Sequence, residues 1–415
     1  MDDSLMVDTT GTSYENEGLL SRFKEWFKQS QNDSADWREE AEESYDFVAG
    51  HQWPEEDQQT LKDQQRPVVT FNRCGVIVDA VSGMEVNNRQ EIRYIPRTAG
   101  SSGVNEMITG AVSWFRDEGC AEDEESDAFR DSTICGMGWT DTRMDYEDGL
   151  EGKTQDERVD PLEIYWDTEC KKRNVIGGRF VMRLKENICV EDAAAMFPSA
   201  DEGDLDASWI STKVSKTHDN KDPAESYNIL KGSSGDNSKE GKKIRLLQVQ
   251  WWDREAYWRV QDPSTLETKE VSEAEYTTIA ERYAVLGVQV QAVKLYRKKY
   301  KQAFIGRVVL EVTDCPCDGR FTLQAITGKR DRKSNMYYGV VRPMKDPQRW
   351  ANKWLSQVLH IINSNSKGGL MAEAGAFENP RRAKQEWSDP TSLTLLKEGG
   401  LVRLEKKALL IIRLD

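Results

Sequence analysis

The stretch DPQRWANKWLSQVLHIIN, residues 346–363, decides how the fold is read. Asp346 is a favoured N-cap and Pro347 a favoured first helical residue, so a helix is expected from Asp346 to about Asn363. At 100° per residue, Trp350, Ala351, Trp354, Leu355, Val358, Ile361 and Ile362 fall within one arc of about 140°. The opposite arc holds Gln348, Arg349, Asn352, Lys353, Ser356, His360 and Asn363, without a carboxylate. The run SNSKGG, residues 364–369, ends the helix. Beyond it lie a short helix expected around 379–387 and the apolar run ALLIIRL. A chain stopping on such a run is expected to be truncated.

Upstream, residues 244–342 read as a compact β-rich module. IRLLQVQWWDREAYWRVQDP is expected to be a hairpin turning near Asp253 and Arg254. A helix opens at Ser272-Glu273 and reaches about Leu286, followed by strands at 288–301 and 304–312 and an extended, basic segment at 321–338. Residues 217–243, rich in Asp, Ser, Gly and Lys, read as a linker. Before it, strands are expected at 139–146, 162–166 and 179–184, and helices at 190–197 and around 204–216.

The first eighteen residues read as a loose leader. Leu19, Leu20, Phe23, Trp26 and Phe27 share one face of a first helix. A second, capped by Asp33 or Ser34 and stopped by Gly50, carries Trp37, Ala41, Tyr45 and Val48. VVTF is extended, Asn72 caps a third helix, residues 92–95 read as a strand, and 104–131 as one long helix. From Phe115 to Asp131 that helix carries eight carboxylates against Arg116 and Arg130, which marks a solvated face or a surface for a basic partner. The pattern is α+β.

Composition narrows the function. The 415 residues include 13 Trp, 13 Tyr and 11 Phe, too many aromatics for a disordered chain. No apolar run is long enough for a membrane span, and the acidic start lacks the apolar core of a secretory leader. Seven scattered cysteines fit a reducing compartment rather than a disulfide scaffold. A net charge of −15 opposes tight nucleic-acid binding, which rests on Lys and Arg displacing counterions. No phosphate-binding loop, zinc-protease motif, nucleophile elbow or dinucleotide fingerprint occurs, and no cofactor, metal or catalytic residue is expected. Asp160 with Glu169 and Lys171 superficially matches a metal-dependent nuclease, the enzymatic alternative. Two basic clusters stand out, one holding Arg297, Lys298, Lys299 and Lys301, the other Arg330 and Arg332. They read as a charge-protected edge strand, or as a contact for phosphate or an acidic protein.

Spaced motifs run through the chain: Trp37-Arg38-x-x-Ala41, Gln52-Trp53, Arg66-Pro67-Val-Val-Thr70-Phe71-Asn72-Arg73 and Gly83-x-x-x-Asn87-x-Arg89. They continue through Gly136-x-Gly138-Trp139, Asp160-Pro161, Trp166-Asp167, Tyr338-Gly339-Val340-Val341-Arg342 and Asp346-x-Gln348-Arg349-x-x-Asn352-Lys353-x-x-Ser356. Their order and spacing carry a resemblance to the portal proteins of short-tailed bacteriophages. The resemblance implies a twelve-subunit ring at one capsid vertex, assembled in the host cytoplasm, with wing, clip and stem regions around a channel for double-stranded DNA. The expected division is an N-terminal segment (1–35), an α+β wing-like region (36–216), a linker (217–243), a β-rich clip-like module (244–342), a stem helix (343–366), and a tunnel-loop region opening a truncated C-terminal part (367–415).

Implied partners are other copies of the chain, weakly held DNA, the terminase large subunit, head-to-tail adaptors, and capsid and scaffolding proteins. Another head-completion or adaptor protein is the non-enzymatic alternative. Arg349, Asn352, Lys353, Ser356 and Asn363 would line the channel, and the two basic clusters would dock terminase or adaptors. Trp350 and Trp354 would pack on neighbouring stems or within the chain's own core. Twelve such subunits would carry about −180, a field that keeps DNA from sticking to the wall.

Overall fold

The computed structural model describes residues 9–64, 66–89, 92–95, 102–146, 149, 152–201, 203–210, 243–261, 268–285, 291–317, 319–367, 369–372 and 402–405. The expected linker core, the tunnel loop, the helix near 379–387 and the final apolar run lie outside these residues. Among the described residues no helix is long and apolar enough to cross a membrane.

In chain order the helices are α1 (Thr9–Asp33), α2 (Ala35–Ala49), α3 (Glu55–Asp63), α4 (Arg73–Asn87), α5 (Ser102–Glu118), α6 (Ala121–Ile134), α7 (Val190–Met196), α8 (Glu273–Val285) and α9 (Lys345–Lys367). The strands are β1 (Met137–Asp145), β2 (Lys153–Val159), β3 (Ile164–Trp166), β4 (Phe180–Cys189), β5 (Lys243–Gln261), β6 (Thr268–Ser272) and β7 (Gln291–Ile305). They continue as β8 (Val309–Asp314), β9 (Leu323–Thr327), β10 (Lys329–Arg330), β11 (Tyr337–Tyr338), β12 (Gly369–Ala372) and β13 (Val402–Glu405). The chain forms two compact units, Met1–Tyr45 with Val78–Arg342, and Asp46–Ile77 with Pro343–Asp415.

In the first unit a six-stranded sheet runs β3-β4-β5-β7-β8, with β6 on the outer part of β5, beside a three-stranded sheet β2-β1-β9. Residues 244–342 therefore do not form a module of their own. β5 pairs with β4 and β9 pairs with β1, across the expected boundary. The expected hairpin at Asp253-Arg254 is also absent, because β5 continues for 19 residues. Asp253 and Glu255 face Lys299 and Arg297 across β7, so charges that look like turn residues are cross-strand partners.

The expected first two helices form. α1 lays Phe23 and Phe27 on the large sheet, Phe23 meeting Trp251 edge to face at 4.8 Å and Trp26 stacking on Phe180 at 4.9 Å. α1 starts at Thr9, inside the expected loose leader. Trp37 and Ala41 of α2 join a core with Met137, Trp139 and Trp166. Arg38 donates to the carbonyls of Leu162 and Ile164.

The single helix expected over 104–131 is two. Cys120 takes a left-handed conformation at φ 50° and turns the chain between α5 and α6. Residues 92–95 form no strand. Strand β2, KTQDERV, escaped sequence reading because it has no apolar alternation; Trp139 pairs with Val159 in register along β1. Ser272 and Glu275 cap α8 reciprocally, the Glu275 amide donating to Ser272 Oγ at 3.3 Å and the Ser272 amide to the Glu275 carboxylate at 2.9 Å.

Two glycines of the quoted motifs permit close backbone approach. A Cβ on Gly138 would stand 1.8 Å from the Ala128 carbonyl oxygen, and one on Gly339 2.2 Å from that of Ile134. Gly138→Ala is expected to force α6 off β1 and to cost about 3 kcal/mol, read by chemical denaturation. On β4, burial and the guanidiniums of Arg183 and Arg143 hold Lys185 below its ordinary value of 10.5. The folded state thus releases this proton more readily than the unfolded chain, and the ammonium is a penalty until pH rises through the depressed value. Lys185→Met is expected to raise the melting temperature near neutral pH, with the advantage gone above pH 10.5.

Candidate functional site

In the second unit, α9 meets the extended segment 66–72. Residues four apart on a helix climb about 6 Å on one face, and residues two apart on an extended chain advance about 6.6 Å. Gln348, Asn352 and Ser356 form such a row. The Val69 amide donates to Ser356 Oγ at 3.2 Å and the Phe71 amide to Asn352 Oδ1 at 3.0 Å. Gln348 Nε2 donates to the Phe71 carbonyl at 2.5 Å and to Asn352 Oδ1 at 3.1 Å. The row substitutes for a partner strand, and the two directions run antiparallel.

A second layer fixes the row. Asn352 Nδ2 donates to Gln52 Oε1 at 2.6 Å, and Gln52 Nε2 donates to the Phe47 carbonyl and to Asn72 Oδ1, both at 3.0 Å. Asn72 caps α4 as expected, accepting from the Gly75 amide at 3.0 Å, and ties back to the Val48 carbonyl at 2.7 Å. Gln52, Phe71, Asn72, Gln348, Asn352 and Ser356 all come from the motif pieces quoted above, so those spaced fragments converge on one hydrogen-bond network.

This network turns the middle of the expected channel-facing row into its own chain, and leaves outward the tryptophan arc, for which neighbouring stems or the chain's own core were the two expectations. Gln348, Asn352 and Ser356 are 6%, 1% and 3% exposed, while Trp350 and Trp354 are 64% and 67% exposed. Val358, Ile361 and Ile362 are exposed as well. An amphipathic pattern is ordinarily read with its apolar face inward. Here the buried amides find backbone partners, and the apolar arc is left uncovered. Asn352 and Ser356, expected to line a channel, are closed off within their own chain. Of that set, Lys353 is exposed and pairs with Asp57 at 2.9 Å. Arg349 is half-buried over the Phe47 ring and 3.7 Å from Asp346, and Asn363 is exposed. The helix starts at Lys345, one residue before its expected cap.

The expected docking residues lie in the first unit and separate into two kinds. Arg297 pairs with Glu255 at 3.6 Å and Lys299 with Asp314 at 3.2 Å, while Lys301 stands in register with Asp314. Lys298 instead lies 3.7 Å over the Trp252 ring, Arg330 donates to the Lys171 carbonyl at 2.5 Å, and Arg332 is exposed. β7 is not a free edge, since β5 covers it from Gln291 to Ile305 and β8 from Lys301. The acidic stretch is partly neutralised in place: Arg116 grips Glu125 through two 2.7 Å bonds, and Arg89 reaches Glu122 at 3.0 Å.

The nuclease pattern does not assemble. Asp160 caps a short turn through the Leu162 amide, and Glu169 lies exposed on a separate loop. No group of three His, Cys, Asp or Glu positioned for a metal occurs among the described residues.

A family model described as phage P22-like portal protein matches residues 24–408. No curated protein matches the chain.

Asn352→Leu removes the acceptor of the Phe71 amide and the donor to Gln52 Oε1 and is expected to cost about 3 kcal/mol. Hydrogen exchange is the sharper measure: the Phe71 amide should lose protection in this variant and keep it in Lys353→Ala.

Proposed function

The chain belongs to the phage P22-like portal protein family, and from that premise we propose that it closes into a twelve-subunit ring conducting double-stranded DNA. The observation supporting the ring is the uncovered face of α9. Trp350, Trp354, Val358, Ile361 and Ile362 leave an apolar stripe exposed along one helix, the kind of patch that marks an interaction surface. The polar row is committed to segment 66–72, so the helix cannot rotate to hide that face without breaking the buried bonds. Neighbouring copies cover it.

The reading makes the ring a conduit and a platform rather than a motor. In this reading the work of packaging falls to a terminase large subunit docked on the ring. Contacts to passing DNA fall to Arg349, Lys353 and Asn363. The nearby carboxylates Asp346 and Asp57 offset the two cations, which keeps phosphate contacts weak and exchangeable. The net charge of −15 per subunit acts in the same direction. Adaptors, scaffolding and capsid proteins complete the set of partners at the vertex of the virion, after assembly in the host cytoplasm.

Native mass spectrometry and electron microscopy of the purified chain test this. Rings of twelve are expected, and a chain that stays single at assembly concentrations would sink the reading. Trp354→Glu with Val358→Glu should cut the ring fraction at least about tenfold while leaving the subunit's melting temperature within a few degrees. Normal rings in that variant would mean that another surface closes the assembly.

A further inference from the structure

Strand alternation sorts the charges of β5 and β7 onto two faces. Asp253 opposite Lys299 and Glu255 opposite Arg297 are complementary pairs on one face. On the other face Arg254 stands directly opposite Lys298, two cations in register, an arrangement that costs stability. The loop after β3 adds Lys172, whose charge reaches Lys298, and Lys171 next to it in the chain. The loop is held firmly: Asn335 Nδ2 donates to the Thr168 carbonyl at 2.7 Å, Tyr337 Oη to the Lys172 carbonyl at 3.3 Å, and Arg330 to that of Lys171. Arg330 thereby joins the group from the β10–β11 hairpin.

Lys171, Lys172, Arg254, Lys298 and Arg330 are all exposed, and none forms an ion pair among the described residues. In a chain of net charge −15, where Arg22, Arg89, Arg116, Arg158 and Arg183 each meet a carboxylate, five neighbouring cations without one are conspicuous. Their mutual repulsion is felt at Lys298. Burial against Trp252, then Lys172 and Arg254, hold its ammonium below the ordinary value.

We propose that this surface binds a short acidic segment, rich in Asp and Glu, of a partner protein. An arriving carboxylate would relieve the repulsion among cations already held in place, so little ordering opposes binding. The size of the patch favours a short segment over a duplex. Exposed charges are felt over about 8–10 Å at physiological salt. DNA carries a charge about every 1.7 Å and extends past the patch, onto a chain whose net charge repels it. A short acidic segment can stay on the cations, passing beside the exposed Glu169 of the same loop. The portal reading supplies the identity of the partner, a motor or adaptor protein; the chemistry of the surface stands apart from it.

The test uses the full chain, a short fluorescein-labelled peptide of alternating Asp and Glu, and a labelled DNA duplex, read by fluorescence anisotropy. The peptide is expected to bind, to weaken with salt, and to lose at least about tenfold in affinity in K172E/R254E/K298E. Arg297→Glu, on the neutralised face, should change it less than about twofold. K171Q/K172Q, a milder change on the exposed loop, should show an intermediate loss and guards against misfolding of the triple variant. A duplex that binds as tightly as the peptide overturns the proposal in favour of a nucleic-acid surface. Equal losses from Arg297→Glu and the triple variant, or no peptide binding at all, overturn it outright. Ring size, measured on the same samples, separates either failure from a failure of the portal reading.

Discussion

The near equality of two repeats governs the second unit: four residues along a helix and two along an extended chain cover almost the same distance. Gln348, Asn352 and Ser356 exploit it to hold Val69 and Phe71 by their backbone. An extended segment outside any sheet would otherwise leave these amides and carbonyls without a protein partner. Amide side chains suit the task because each can donate and accept, and Asn352 does both. Replacing the row by leucines would make a better amphipathic helix on paper and strand a line of backbone groups.

That choice has a consequence on the other side of the helix. Once the polar row is inward, the tryptophan row has to face out, where the proposed ring would cover it. Family membership and this exposed face arrive at the same idea from unrelated premises, one from sequence pattern and the other from surface chemistry. The first unit behaves differently. It buries Trp37, Trp139, Trp166 and Trp251 between helices and sheets in the ordinary way, while Trp114 and Tyr296 stay exposed.

Much of the fold was legible in the sequence wherever a local chemical signal agreed with the tertiary outcome. Asn72 capped its helix, Gly50 ended α2, and Phe23 and Phe27 went inward because their spacing and the core agreed. Legibility failed where a residue's partner was distant. Asp253-Arg254 looks like a turn until β7 lies alongside and sets Lys299 opposite Asp253, and β2 looks like a loop until β1 lies beside it. The orientation of α9 was unreadable for the same reason, since the partners of Asn352 lie 281 and 300 positions away. The basic surface was half seen. Lys298 and Arg330 stood in evident clusters, whereas Arg254 and Lys172 acquire meaning only from cross-strand register and from a loop pinned by Asn335.

β5 and β7 stay paired over fifteen consecutive residues, from Leu247 opposite Ile305 to Gln261 opposite Gln291, with no bulge between them. The inner part of β5 is buried beside β4, and the outer part carries Arg254. A tug along that strand would load the ladder in shear, all rungs at once, instead of peeling it rung by rung. Mechanical work done at the outer end is thereby delivered to the buried sheet, because the strand between them contains no joint at which it could dissipate.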